Sequence, residues 1–267
     1  DYIYINCPNG TEINSPESLS VFLSDRHFGV GGDGVVLILP STVADVRMRM
    51  FNLDGSEGRM CGNAARCVAK FVYDRGLVRR DRITIETLSG IKEVEVFTAN
   101  KQVKTARVNM GRAILAPKEI PVRLSGTTAV NRPVEIGGKE YRISCVSMGN
   151  PHCVVFCEDI KSIRLDEVGP EFENSPLFPE RVNAEFVKII APDVLELRVW
   201  ERGSGETLAC GTGACASVVA ATLLGYCQKD TDVKVILKGG ELTIRYTDDA
   251  VYMSGGCEKV FEGTVLL

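Results

Sequence analysis

The 267-residue sequence has only two histidines, His27 and His152, and no pair of cysteines separated by two residues. Structural zinc sites draw four ligands from such residues at such spacings, so the common zinc motifs are excluded. Long apolar runs are also missing: GVVLIL at 34–39 is short beside the ~20 residues of a membrane-spanning helix. The sequence therefore predicts no metal site and no membrane span.

Blocks of one charge are absent as well. The 31 basic and 35 acidic residues are interspersed and give a net charge of -4, which does not suit nucleic acid or an anionic lipid surface. The chain opens DYIYINC, without the basic and apolar segments of a targeting peptide. We expect a cytoplasmic protein that binds a small neutral or zwitterionic molecule and neither nucleic acid nor a membrane. The oligomeric state stays open, and a homodimer is one candidate.

Cysteine, in contrast, is abundant, with ten in the chain. Disulfide frameworks are typical of short secreted domains that lack a core, whereas 45% of these residues are hydrophobic and the chain can fill one large core or two domains. We expect reduced thiols, most of them acting as small buried residues.

The stretch MCGNAARC at 60–67 is echoed by ACGTGAC at 209–215, which puts Cys61 and Cys210 149 positions apart. A recurring offset is the signature of an internal repeat. Further segments match at this offset or within one residue of it: YINC (4–7) with VVFC (154–157), GVVLI (34–38) with NAEFV (183–187), and the helix start at 15–17 with LDEVGPEFE (165–173). The pattern predicts duplicated halves.

Extended runs outnumber helices in each half, and only two helices per half are predicted. Ser15 is read as an N-cap before Pro16, and the second helices span 62–76 and 211–225, each ending at a glycine. We predict an α/β fold of the α+β type, with two pseudo-symmetric domains, each a mixed or antiparallel barrel-like sheet around a central helix. The domains are 1–110 plus 256–267, with Cys61, and 111–255, with Cys210.

A cysteine at the start of a helix lies beside unpaired N–H groups and the positive end of the helix dipole, which favour its thiolate and bind carboxylates. Cys61 and Cys210 facing each other across a cleft between the domains would flank one α-carbon, the geometry of racemisation. Either motif alone is more typical of a packed residue; the repetition favours catalysis. The other eight are read as core: Cys7, Cys67, Cys145, Cys153, Cys157, Cys215, Cys227 and Cys257.

Four segments in order closely resemble diaminopimelate epimerases: FNLDGSEGRMCGNAARC (51–67), SMGNPHC (147–153), FPERVNAEF (178–186) and ERGSGETLACGTGAC (201–215). The resemblance covers nearly the whole chain. It implies an isomerase that converts LL-2,6-diaminopimelate to the meso form for lysine and peptidoglycan precursors. It also implies that neither pyridoxal phosphate nor a metal is used and that the site lies between two pseudo-symmetric domains.

The resemblance also implies roles for individual residues. Cys61 and Cys210 become the acid/base pair, and His152 and Glu201 tune the two thiols. The reacting carboxylate would be bound by Gly62, Asn63, Gly211 and Thr212. The distal carboxylate would be held by Asn52, Asn150, Asn183 and Arg202, and the distal ammonium by Glu201.

Two departures from the family pattern stand out. A Gly-Asn pair matching Gly149-Asn150 would fall just before Asp1, outside the chain as written, and Gly34 stands where some members carry glutamine. Two alternatives stay open: a related cofactor-independent racemase or isomerase acting on another substrate, and a catalytically silent amino-acid-binding protein.

Overall fold

The computed structural model describes residues 1–10 and 13–266. The chain divides into two compact units. One consists of Asp1–Val108 and the residues from Gly255 onward, and the other of Asn109–Ser254. Within the described ranges, no helix is both long and apolar enough to cross a membrane.

The first unit is built on a mixed sheet with strand order β1-β2-β3-β5-β6-β7, and β4 pairs with β3. The pairs β1/β2 and β3/β5 are parallel and the others antiparallel. Its elements are β1 (Ile3–Asn6), α1 (Pro16–Ser24), β2 (Gly34–Leu39), β3 (Val46–Asn52), β4 (Glu57–Gly58), α2 (Gly62–Asp74), β5 (Arg82–Thr87), β6 (Gly90–Ala99) and β7 (Gln102–Gly111).

The second unit has strand order β16-β15-β14-β12-β11-β10-β9-β8, and β13 pairs with β12. Here β10/β11 and β12/β14 are parallel. Its elements are β8 (Arg132–Ile136), β9 (Lys139–Ser147), β10 (Pro151–Phe156), α3 (Leu165–Glu173), β11 (Asn183–Ala191), β12 (Val194–Glu201), β13 (Gly205–Glu206), α4 (Gly211–Leu223), β14 (Asp232–Leu237), β15 (Gly240–Tyr246) and β16 (Val251–Gly256).

The two units repeat one connectivity. The run β1-α1-β2-β3-β4-α2-β5-β6-β7 has the same order as β10-α3-β11-β12-β13-α4-β14-β15-β16, and the hairpin of β8 and β9 is extra. Backbone pairing repeats with the sequence offset: Val35 faces Phe51 in the first unit, and Ala184 faces Trp200 in the second, each 149 positions later. The sheet-dominated, mixed α/β fold class is confirmed, while barrel closure and the cleft stay predictions.

Both second helices begin where the sequence predicts and end two residues early, at Asp74 and Leu223. Gly76 and Gly225 follow at φ 68° and 78°, the left-handed conformation that glycine adopts after a helix end. Helix α1 begins at Pro16 with Ser15 as its N-cap residue, as the sequence predicts, and the fixed φ of proline suits the first helical turn. Ser15 is left-handed, however, at φ 52°, and its side chain makes no capping hydrogen bond within the described part of the chain.

Helix α4 is the central helix of its unit. It packs against β9, β10, β11, β12 and β15, and its residues 213–221 are all buried. All ten cysteines are free thiols. Cys67 and Cys157 are only half-buried, so the core prediction is wrong for these two. Cys157 follows the end of β10 and packs against a core cluster in its unit.

Candidate active site

Cys61 and Cys210 are the N-cap residues of α2 and α4. Both have extended backbones, with φ -134° at Cys61 and -120° at Cys210, so each thiol stands at the open end of its helix. The N–H of Gly213 donates to Cys210 Sγ at 3.3 Å. Cys61 is half-buried and Cys210 is buried.

Burial raises the pKa of the Cys61 thiol. The N–H groups of Ala64 and Asn63, the Tyr2 hydroxyl and the Arg66 charge all oppose this shift without overcoming it. The sequence predicted a lowered pKa from the helix start alone. That prediction is wrong in direction, because desolvation of the thiolate outweighs the N–H groups.

Arg66 is a buried cation in the second turn of α2, 6% exposed. Its Nη1 donates to Asn63 Oδ1 at 2.9 Å and its Nε to the Gly256 carbonyl at 3.4 Å. Among the described residues its charge faces thiols, chiefly those of Cys67 and Cys61, rather than a carboxylate. Sequence reasoning missed Arg66; the available signal was a charge inside an apolar helical run.

Burial raises the pKa of Cys210 well above its usual range, and the carboxyls of Glu201 and Glu185 raise it further. The Thr212 hydroxyl and the Gly213 N–H oppose the shift. Cys210 Sγ lies 3.5 Å from Thr212 Oγ1. The Cys210 thiol therefore has two acidic side chains near it, whereas the Cys61 thiol has the Arg66 guanidinium. The sequence predicted a lowered pKa for Cys210 as well, and that prediction is also wrong in direction.

A chain of hydrogen bonds runs inward from Cys210. Asn150 Nδ2 donates to Thr212 Oγ1 at 3.3 Å, and Asn150 Oδ1 lies 3.0 Å from His152 Nε2. His152 Nδ1 lies 2.6 Å from Glu185 Oε1, and both side chains are fully buried. The structure thus brings three predicted site residues, Asn150, His152 and Thr212, into contact with one another behind Cys210.

Glu185, at the inner end of this chain, was missed by sequence reasoning, although it is the one charge in the strand segment NAEFV. Burial raises the pKa of its carboxyl, and His152 opposes that shift. Its Oε2 is buried and has no hydrogen-bond partner among the residues that the structure describes. His152, Glu185 and Cys210 are the only potential metal ligands that cluster among the described residues, within 4.8 Å, and the His152 hydrogen bond already occupies Glu185 Oε1.

Asn183 and Glu173 hold the loop that carries Arg202. Asn183 Oδ1 accepts the Arg202 N–H at 2.8 Å, and Glu173 Oε1 accepts the Gly203 N–H at 2.9 Å. The Arg202 guanidinium is exposed and donates to the Glu180 carbonyl at 2.8 Å. The backbone of this loop is therefore fixed while the guanidinium stays accessible to a ligand.

The remaining predicted residues are placed as follows. Gly62 and Asn63 form the first turn of α2, and Gly211 begins α4. Glu201 ends β12, where its carboxyl accepts the Thr207 hydroxyl. Asn52 ends β3 and its side chain donates to Ser56 at 3.0 Å rather than to another predicted site residue.

Gly34 pairs with Asn52 across the β2/β3 ladder. A Cβ at Gly34 would lie 2.1 Å from the Phe51 carbonyl oxygen. No side chain fits at position 34 in this conformation. The departure from the family pattern at Gly34 therefore follows from the way β2 pairs with β3.

A family model for diaminopimelate epimerase matches residues 1–116 and 144–260. The chain belongs to the diaminopimelate epimerase family. A diaminopimelate epimerase of Desulfovibrio desulfuricans is 52% identical over 271 residues, covering 98% of this chain and 93% of that protein. One of Acetivibrio thermocellus is 50% identical over 267 residues, covering 99% and 94%.

Among solved structures, a probable proline racemase from Agrobacterium radiobacter K84 superimposes with a TM-score of 0.66 at 16% identity, covering 92% of this chain and 79% of that one. At this identity the likeness shows a shared fold only. Membership of the diaminopimelate epimerase family therefore rests on the sequence matches, and the fold is shared more widely.

Proposed function

We propose that this protein converts LL-2,6-diaminopimelate to the meso form by proton transfer at one α-carbon, without a cofactor or a metal. The observation that carries the proposal is the pair of N-cap cysteines, Cys61 on α2 and Cys210 on α4, at the same place in two units of identical connectivity. Family membership supplies the substrate.

In the proposed reaction, one cysteine as thiolate removes the α-proton. The electron pair of the broken C–H bond is delocalised into the reacting carboxylate, and the other cysteine, as thiol, delivers a proton to the opposite face. One thiolate is consumed and one is formed, so the net charge is conserved. In the reverse reaction the two cysteines exchange the roles of base and acid.

Helix N-terminal N–H groups stabilise the negative charge that develops on the reacting carboxylate. We assign this role to Gly62 and Asn63 on α2 and to Gly211 and Thr212 on α4. We assign the distal carboxylate to Arg202, whose planar guanidinium suits bidentate binding, with help from Asn52, Asn150 and Asn183. Glu201 would bind the distal ammonium and, with His152, tune the thiols.

The alternative of a racemase for another amino acid predicts turnover that does not need a distal carboxylate. The alternative of a silent binding protein predicts ligand binding without proton exchange. Both are separated from the proposal by a reaction in heavy water with LL-diaminopimelate, analysed by mass spectrometry and NMR. We expect meso product with deuterium at one α-carbon; binding without exchange would sink the enzymatic proposal.

The thiols are tested by Cys61→Ala and Cys210→Ala, each of which should abolish epimerisation because one face then lacks its acid or base. Cys157→Ala, a half-buried cysteine outside the site, is the matched control and should keep normal turnover. Near-normal turnover in either site variant would rule out the two-base mechanism.

We also propose a cytoplasmic location, supported by ten free thiols in a chain with a large core. A homodimer remains the oligomeric state to test, and light scattering at several protein concentrations would show a mass of one chain or two.

A further inference from the structure

We infer that Glu185 is a positioning residue for the Cys210 thiol, which it reaches through His152, Asn150 and Thr212. No substrate contact is required of Glu185, because it lies at the buried end of the chain. The inference deepens the proposed function, since it assumes that Cys210 carries a reacting proton.

The hydrogen bonds along this chain have a defined direction. Glu185 Oε1 and Asn150 Oδ1 are both acceptors, and they face the two ring nitrogens of His152 at 2.6 and 3.0 Å. Asn150 Nδ2 then donates to Thr212 Oγ1. The Thr212 hydroxyl, already accepting one hydrogen bond, has its own hydrogen free to donate to Cys210 Sγ, 3.5 Å away.

Glu185 Oε1 and Asn150 Oδ1 hold the two ring nitrogens of His152, and Asn183 Nδ2 also lies 3.5 Å from His152 Nδ1. The ring is therefore fixed at both of its nitrogens, and the contact with Glu185 is the shortest of the three. A ring nitrogen of His152 and the Cys210 sulfur lie within 4.8 Å of each other. Glu185 thus fixes the ring next to Cys210 and, through Asn150, the orientation of the Thr212 hydroxyl.

The titratable side chains around Cys210 come from three neighbouring strands: His152 from β10, Glu185 from β11 and Glu201 from β12. The carboxyls of Glu201 and Glu185 raise the pKa of Cys210, and the Thr212 hydroxyl opposes that shift. Glu185 thus acts in two ways: its charge disfavours the Cys210 thiolate, and its contact with His152 holds the Thr212 hydroxyl that favours it.

The fold makes room for this carboxyl. A Cβ on Gly213 would lie 2.7 Å from Glu185 Oε1 and 3.2 Å from its Cγ, so the glycine in the first turn of α4 is what lets Glu185 reach His152. Glu185 is also fully buried in mid-strand. These contacts tie Glu185 to the helix that carries Cys210.

The test begins with the unmodified protein and ¹⁵N NMR of its histidines. Only His27 and His152 are present, so a His27→Gln variant assigns both. We expect the His152 Nδ1 resonance to show the shift of a nitrogen in a short hydrogen bond, as the 2.6 Å contact with Glu185 requires. A His152 Nδ1 resonance without such a shift in the wild-type protein would overturn the inference without any variant having to fold.

The second measurement uses Glu185→Gln, which keeps the shape and removes the charge. We expect the His152 Nδ1 resonance to shift and the pH midpoint of Cys210 alkylation, followed by peptide mapping, to fall, because the Glu185 carboxyl raises the Cys210 pKa, while the midpoint of Cys61 stays unchanged. The turnover number should fall about tenfold or more with little change in KM. Glu196→Gln, on β12 and paired with Lys161, is the matched control and should change none of these.

An unchanged His152 spectrum, or equal movement of both alkylation midpoints, would overturn the inference. Glu185→Asp, which retains the carboxyl, should keep the Cys210 alkylation midpoint near that of the wild-type protein and recover part of the turnover. The NMR and alkylation results do not depend on epimerase activity. A protein that shows the coupling but no deuterium incorporation would contradict the proposed function and leave the Glu185 assignment standing.

Discussion

Gly213 and Glu185 are packed so closely that no side chain fits between them. A Cβ on Gly213 would lie 2.7 Å from Glu185 Oε1, although Gly213 is an ordinary helical residue in the first turn of α4. The Glu185 carboxyl is held 2.6 Å from His152 Nδ1. In this position it leaves room only for a glycine at position 213. One missing methyl group thus lets the buried pair form behind Cys210.

Gly213→Ala should push the Glu185 carboxyl away from His152. We expect turnover to fall at least about tenfold and the free energy of unfolding to drop by about 1–3 kcal/mol, the usual cost of overpacking. Steady-state kinetics and urea unfolding measure the two effects. Gly263→Ala, where nothing lies within 4 Å, is the control; full activity in Gly213→Ala would contradict the packing account.

Arg202→Met should weaken binding of a substrate with a distal carboxylate. The exposed guanidinium is available to pair with it, and hydrogen bonds to charged groups contribute about 1.5–3 kcal/mol each, so KM should rise about 10- to 100-fold. Arg112→Met, another exposed arginine bonded to a carbonyl, should leave KM unchanged. An unchanged KM for diaminopimelate in Arg202→Met would remove Arg202 from the binding site.

Arg66→Met should raise the pKa of Cys61 further, because the Arg66 charge is one of the influences that lower it. The groups facing Cys61 besides Arg66 are the Tyr2 hydroxyl and the first N–H groups of α2. We expect the alkylation midpoint of Cys61 to move to higher pH and that of Cys210 to stay. Arg75→Met, at the far end of α2, is the control, and an unmoved Cys61 midpoint would show that Arg66 acts only in packing.

Stability should fall in alkaline solution because of two other buried thiols. Burial raises the pKa of Cys227 and of Cys257 from 9.0 to about 11. A raised pKa means that the unfolded state loses its proton first, so the stabilisation is complete below pH 9 and is lost as pH rises toward 11. Each thiol should contribute a loss of about 2–3 kcal/mol.

Urea unfolding at several pH values checks this prediction. The free energy of unfolding should decline between pH 9 and 11, and Cys227→Ala should show a shallower decline than the wild-type protein. Equal slopes in the two proteins would mean that Cys227 ionises alike in the folded and unfolded states.

Much of the fold could be read from local patterns. The offset of 149 or 150 residues predicted the shared connectivity of the two units, because a repeated segment carries the same hydrophobic period and the same turn residues. The starts of α2 and α4 were predictable because each helix begins at a glycine directly after a cysteine. Ser15 shows the limit of such patterns: it is the N-cap residue as predicted, but its capping bond depends on a backbone angle that the residue type does not specify.

The sequence by itself determined which residues are proposed to carry the chemistry: two cysteines at equivalent helix starts, together with the neighbours to which the resemblance assigned roles. Only the tertiary structure decided the environment of each thiol. Burial reversed the predicted pKa direction at Cys61 and Cys210, and Glu185 came to lie against His152, from a strand 33 residues further along the chain. Desolvation and charge pairing depend on every element packed around an atom, so they follow from the assembled fold and not from the neighbouring letters of the sequence.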